Sequence, residues 1–124
     1  MDDRAFEKLI KFLSKIPPVI GEIGKGSEED GQWWVKFEID VNHDLAWHAV
    51  QELGHVLNYL SIDERLPTNF HPVSPPPYMN GGPDEYLSWV IECHEPEFRP
   101  GTCAKWLEER LPSPVTDVTQ WVNE

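Results

Sequence analysis

The sequence predicts an α+β domain: a two-layer sandwich whose four-stranded antiparallel sheet comes from two hairpins joined by a helix, with helices on one face. Three observations lead there. The chain has 124 residues with 40% hydrophobic content and six Trp, enough for one hydrophobic core across residues 1–124. Trp33, Val35, Phe37, Ile39 and Val41 alternate with Gln32, Trp34, Lys36, Glu38 and Asp40, the period of a strand with one apolar face. Ala46, Ala49, Val50, Leu53, Leu57 and Leu60 recur at helical spacing directly afterwards.

In chain order, Asp2 to Ile16 reads as a helix, with Phe6, Leu9, Ile10, Leu13 and Ile16 on its apolar stripe. Acids at its start and lysines toward its end suit the helix dipole, and Pro17-Pro18 stops it. Val19 to Gly24 is a short strand, and the polar run Gly24 to Gly31 is the turn into the Trp33 strand. The second helix runs from Asp44 to Leu60, with Asn42 or Asp44 as its cap. Residues 66–83 hold six prolines, so a strand around Asn69 to Ser74 is expected as an edge strand or a short piece. Pro75-Pro76-Pro77 favours polyproline II and Asn80-Gly81-Gly82 a turn. Tyr86 to His94 is the fourth strand, and Glu95 to Arg99 a loop. Thr102 to Leu111 is a third helix whose inner side holds Trp106, Leu107 and Leu111. Residues 112–124 form a tail or short helix, where Asp117 and Gln120 have capping-box spacing, although the Val and Thr content also suits a strand.

Composition excludes several classes of function. The net charge is −12, which argues against nucleic-acid binding, since phosphate contacts need clustered Lys and Arg. No apolar run approaches the ~18–20 residues of a membrane span. The acidic start lacks the basic and apolar regions of a secretory signal, so a cytoplasmic protein is expected. Cys93 and Cys103 form no metal or redox motif and are expected as reduced, buried thiols. The charge is uneven: residues 37–98 carry −10, and residues 1–36 and 99–124 carry −1 each. Such a block is either ordinary solubilising charge or a negative field for a basic partner or cation.

Three constellations are candidate sites. On the second helix, His48, Glu52 and His55 share a face and are proper ligands for zinc or a similar ion. Residues seven apart lie ~10 Å apart along a helix, so such a site needs a further ligand such as His43, His71 or His94. The plainer reading is a solvated helix face. On the outer sheet face, Trp34, Glu38, Asp40, Tyr86 and Glu92 combine aromatic anchors with carboxylates, a mixture suited to a basic protein. The alternative is that Trp34 is covered and the face merely hydrated. In the proline-rich loop, Tyr78 and Met79 are presented by stiff backbone, as a docking element for a larger assembly or as a rigid connector.

No catalytic set stands out. There is no nucleophile elbow, phosphate-binding loop or dinucleotide fingerprint, and neighbouring Cys93 and His94 point to opposite faces of a strand. No cofactor is expected. In size, acidity and layout, and not in any motif, the chain is similar to small bacterial immunity or inhibitor proteins. That likeness implies a protein-binding module acting on a basic toxin or enzyme. A metal-binding protein or small metal-dependent enzyme centred on His48, Glu52 and His55 is the alternative.

Overall fold

A computed structural model describes residues 3–59, 65–73 and 86–122. A 3₁₀ turn, Asp3–Phe6, leads into α1, Glu7–Leu13. Strands β1, Val19–Ser27, and β2, Trp33–Asp40, follow. Next come α2, Ala46–Gly54, with a π-helical turn, His55–Tyr59, and then β3, Thr68–Val73, and β4, Tyr86–Cys93. Helices α3, Pro100–Arg110, and α4, Val118–Val122, complete the chain. The sheet is antiparallel throughout, in the order β1-β2-β4-β3. Helices pack on one face, so the expected two-layer α+β arrangement is what forms. Strands β2 and β3 run the same way with β4 between them, and α2 makes the crossover that carries the chain past β4's place to the sheet edge.

The alternation in β2 sets the register of the whole molecule. Trp33, Val35, Phe37 and Ile39 are buried against the helices, while Trp34, Lys36, Glu38 and Asp40 are half-buried on the other face. Ile91 and Trp89 of β4 and Phe70 of β3 continue the inner layer. Phe70 stacks between Phe37, at 6.0 Å, and Trp89, at 5.0 Å. Phe6 meets Trp33 edge to face at 6.1 Å, and the Trp33 indole donates to the Phe98 carbonyl at 2.7 Å. α1 contributes Leu9, Phe12 and Leu13, and α3 contributes Cys103, Ala104 and Leu107. Both cysteines are buried, free thiols, as their apolar settings imply. Trp106 of α3 is half-buried beneath the Arg110 guanidinium, 3.9 Å from its ring centroid.

Several boundaries differ from the sequence reading. α1 ends at Leu13 because the backbone tightens into turns closed by Lys15 N–H to Phe12 and Ile16 N–H to Leu13; Ile16 stays buried. β1 runs through Gly24-Lys25-Gly26-Ser27, and only Glu28–Gly31 is the turn, with Gly31 at φ 95°. The two glycines are strand residues because the Trp34 ring lies on them: a Cβ on Gly26 would stand 2.5 Å from the indole. Between Ile20 and Gly24 the register slips at a bulge holding Gly21 at φ 73°. Neither Asn42 nor Asp44 caps α2. The Asp40 carboxylate accepts the Asn42 N–H, and His43 Nδ1 accepts the Leu45 N–H at 2.9 Å. α3 starts earlier than expected, with Pro100 at its first position, where a missing N–H costs nothing. The tail does form a helix. Asp117 accepts from the Thr119 N–H and hydroxyl, and the Trp121 indole donates to Val115.

The π-turn after α2 explains the far edge of the sheet. Its extra residue turns Val56 and Leu57 both inward and aims Asn58 at β3. The Asn58 amide donates to the Phe70 carbonyl at 2.8 Å and accepts the Phe70 N–H at 2.6 Å. Phe70 thus has its backbone groups facing outward, and by strand alternation so does Pro72, whose nitrogen is therefore spared any ladder duty. The Thr68 hydroxyl donates to the Leu57 carbonyl at 2.7 Å. The expected edge placement of this proline-bearing strand is what the sheet order shows.

Candidate functional site

The outer sheet face is built by cross-strand rows. Gly26, Trp34, Glu92 and Asn69 form one row; Gly24, Lys36, Val90 and His71 the next; Ile20, Glu38, Ser88 and Val73 the third; Asp40 pairs with Tyr86. Trp34 is held flat by the two glycines, which removes most of its rotational freedom before any partner arrives. It lies outside the closed core and keeps part of its surface in solvent. Glu92 stands directly across from it and lies 3.5 Å from His71 Nε2, both side chains a little over 40% exposed. The Asn69 amide and His94 Nε2 are 2.6 Å apart on the same side.

At this end of the face, Glu28, Gln32, Trp34, Glu92 and His94 line a recess of about 60 Å³. Trp33 and Cys93 also line it, so its walls are two indoles, two carboxylates, a thiol and polar groups, an environment for the head of a Lys or Arg side chain. Glu38 leans toward the β1 bulge, with Oε2 3.3 Å from where a Cβ on Gly21 would be. Trp34 and Asp40 are six positions apart on β2, hence roughly 20 Å apart at ~3.3 Å per residue. Trp34, Glu38 and Asp40 therefore make a strip along β2, with Glu92 and Tyr86 paired to its two ends from β4, and not a compact spot. Asp40 is also partly engaged by the turn at Asn42. Ser88 and Val90, in the central strand, are buried.

The other predicted residues fall elsewhere. His48 and His55 are exposed on α2 and its π-turn, and Glu52 is half-buried. Among the described residues, no group of three His, Cys, Asp or Glu is placed to hold a metal ion. The further ligands considered are committed or distant: His43 closes the turn before α2, and His71 and His94 stand on the outer sheet face. Tyr78, with the rest of the proline-rich loop, lies outside the described residues. Two exposed aromatics were not anticipated as site residues: Trp47, 56% exposed, and Tyr59, 62% exposed. The available signal was their position off the buried stripe of α2. Among the described residues, no helix is long and apolar enough to cross a membrane.

Both thiols are buried. Burial pushes the Cys103 thiol far above the usual range, and burial also raises Cys93, partly opposed by its hydrogen bond to the Glu95 carbonyl. No family model, curated protein or solved structure matches the chain.

Proposed function

We propose that this chain is a small protein-binding module whose outer sheet face docks a basic protein, in the manner of an inhibitor or immunity protein for a basic toxin or enzyme. The observation that carries the reading is Trp34, fixed on Gly24 and Gly26 and flanked by Glu92 and Glu28 at one recess. A fixed aromatic beside carboxylates supplies an anchor of low entropic cost and a seat for a cationic side chain. Glu38 and Asp40 extend the negative strip along β2, with Lys36 as the one base on the outer side of the described strands.

The test is retention of cellular proteins on the immobilised full chain, at low and then moderate salt, read by mass spectrometry. The retained protein is then titrated against purified wild type and variants. A basic protein released by salt is expected, with Trp34→Ala or Glu92→Gln weakening it by about thirtyfold, the loss of one interface hot spot. The exposed Trp47→Ala serves as control and leaves the affinity unchanged. A partner insensitive to Trp34 and Glu92, or one sensitive to Trp47 alone, overturns the reading.

A further inference from the structure

The two edges of the sheet are treated differently. On β3, Asn58 takes both outward backbone groups of Phe70, Thr68 bonds to the π-turn, and Pro72 has no donor to offer. On β1, the Glu28 N–H bonds the Gln32 carbonyl, so strand alternation turns Gly26 and Gly24 toward β2 and the Lys25 N–H and C=O outward. Lys25 pairs in register with the inward-facing Val35, which puts its side chain on the helix side of the sheet. There it joins Arg4, Glu7, Ile10 and Lys11 around a recess of about 400 Å³. In a chain of net charge −12, the described residues around this recess are thus three of the ten bases with one acid, Glu7.

We propose that the β1 edge and this cationic recess form a groove for an acidic extended peptide segment, added as a fifth strand. Pairing to Lys25 would supply main-chain hydrogen bonds, and alternate side chains of the added strand would enter the recess. Acids at those positions meet Lys25 and Lys11, while apolar atoms meet Ile10. The bulge between Ile20 and Gly24 confines pairing to the Gly24–Ser27 stretch, so the recognised segment is short. A second copy of this chain is a poor occupant, because β1 against β1 would bring two cationic recesses together. The recess is on the helix side of the same β1 stretch whose outer face carries the Trp34 ring, so the Lys25 and Lys11 variants test this proposal apart from the Trp34 and Glu92 variants.

The probe is a short blocked peptide of alternating Val and Glu, titrated into the full chain and followed by fluorescence anisotropy and amide hydrogen exchange. Binding is expected to slow exchange of the Lys25 amide. Lys25→Glu and Lys11→Glu should each weaken it by about five- to tenfold, as loss of a partly screened charge pair implies. Lys36→Glu makes the same change of net charge on the outer face and should leave binding within twofold. N-methylation of alternate peptide nitrogens should abolish binding. The proposal is overturned if the N-methylated peptide binds as well, if inorganic polyphosphate competes equally, if Lys36→Glu weakens binding as much as Lys25→Glu, or if no exchange change appears at Lys25. Circular dichroism of each exposed-site variant separates lost binding from lost fold.

Discussion

Removing the Asn58 amide tests how the fold closes its proline-bearing edge. Asn58→Ala deletes two hydrogen bonds, at 2.6 and 2.8 Å, that run to both backbone groups of the buried Phe70. Each such bond contributes about 0.5–1.5 kcal/mol net, and a buried backbone group left unpaired costs about 1–3 kcal/mol. Partial entry of water at the half-buried Asn58 position relieves some of this, so a loss of about 2–4 kcal/mol is expected. For a chain of this length that corresponds to roughly 10 °C in melting temperature. Urea denaturation gives the stability change, and amide exchange at Phe70 gives its location. Asn58→Asp is the companion variant. It keeps the acceptor for the Phe70 N–H but sets a carboxylate oxygen against the Phe70 carbonyl. It should lose at least as much at neutral pH and recover partly in acid, where the protonated carboxyl can donate. A change within about 0.5 kcal/mol for Asn58→Ala, with Phe70 exchange unaltered, would refute the edge-sealing argument.

Four further outcomes are expected. Trp33→Phe should cost about 2–3 kcal/mol in chemical denaturation, because it removes area and the bond to Phe98, whereas Trp89→Phe should stay within about 1 kcal/mol, since the buried Trp89 N–H has no hydrogen-bond partner among the described residues. Gly26→Ala should cost about 1–2 kcal/mol and shift the Trp34 indole resonance, because the new methyl would sit 2.5 Å from the ring and force it off its bed. Native Cys93 and Cys103 should react with aromatic disulfide reagents only at the rate of unfolding, both being buried with raised thiol pKa values; fast labelling of either would contradict this. Asp117, held below its ordinary value by the Thr119 hydroxyl and N–H, stabilises α4 above the unfolded carboxylate pKa, and that contribution is lost as pH falls through its lowered folded value; the Trp121 indole resonance should report loosening of α4 in acid and no change between pH 6 and pH 8.

The layers of this fold were legible because their signals are long and periodic. The Trp33–Ile39 alternation and the Ala46–Leu57 stripe each commit many side chains to one face, and both faces are where the pattern places them. Pro72 marked β3 as an edge strand for a reason local to one residue. What was not legible depends on partners distant in sequence. Gly24 and Gly26 look like turn residues until Trp34 is known to lie on them. Asn58 looks like an ordinary polar helix residue, since nothing nearby says that a π-turn will aim it at a strand twelve residues on. His43 as a turn acceptor is invisible for the same reason. In the candidate site, the shared face of Trp34, Glu38, Asp40 and Glu92 followed from parity alone. The contribution of Glu28 required the hairpin's geometry, and the exposure of Trp47 required the packing of α2.

The excess of acids also changes meaning once the layers are known. Among the described residues, the acids of the −10 block of residues 37–98 do not share one surface: Asp44 precedes α2 and Glu52 lies on it, Glu95 and Glu97 lie in the loop after β4, and Glu38 and Glu92 face outward from the sheet. The bases are the better guide. Arg4, Lys8, Lys11 and Lys15 lie along α1 and its flanks, and Lys105 and Arg110 on the adjacent α3, so the helical layer carries most of the positive charge. Among the described residues, the outer sheet face is therefore mostly acidic and the helical side mixed. A screening length of about 8 Å at physiological salt is shorter than a two-layer domain, so an approaching protein feels one side at a time. Under the proposed function, a basic partner would be oriented toward Trp34 and away from α1 before contact, and the proposed acidic segment would be steered the opposite way, toward Lys25. On the two proposals, partners of opposite charge would approach opposite faces of the chain. It also means that raising salt should slow both associations while leaving the aromatic anchor at Trp34 and the main-chain pairing at Lys25 to set how long each complex lasts.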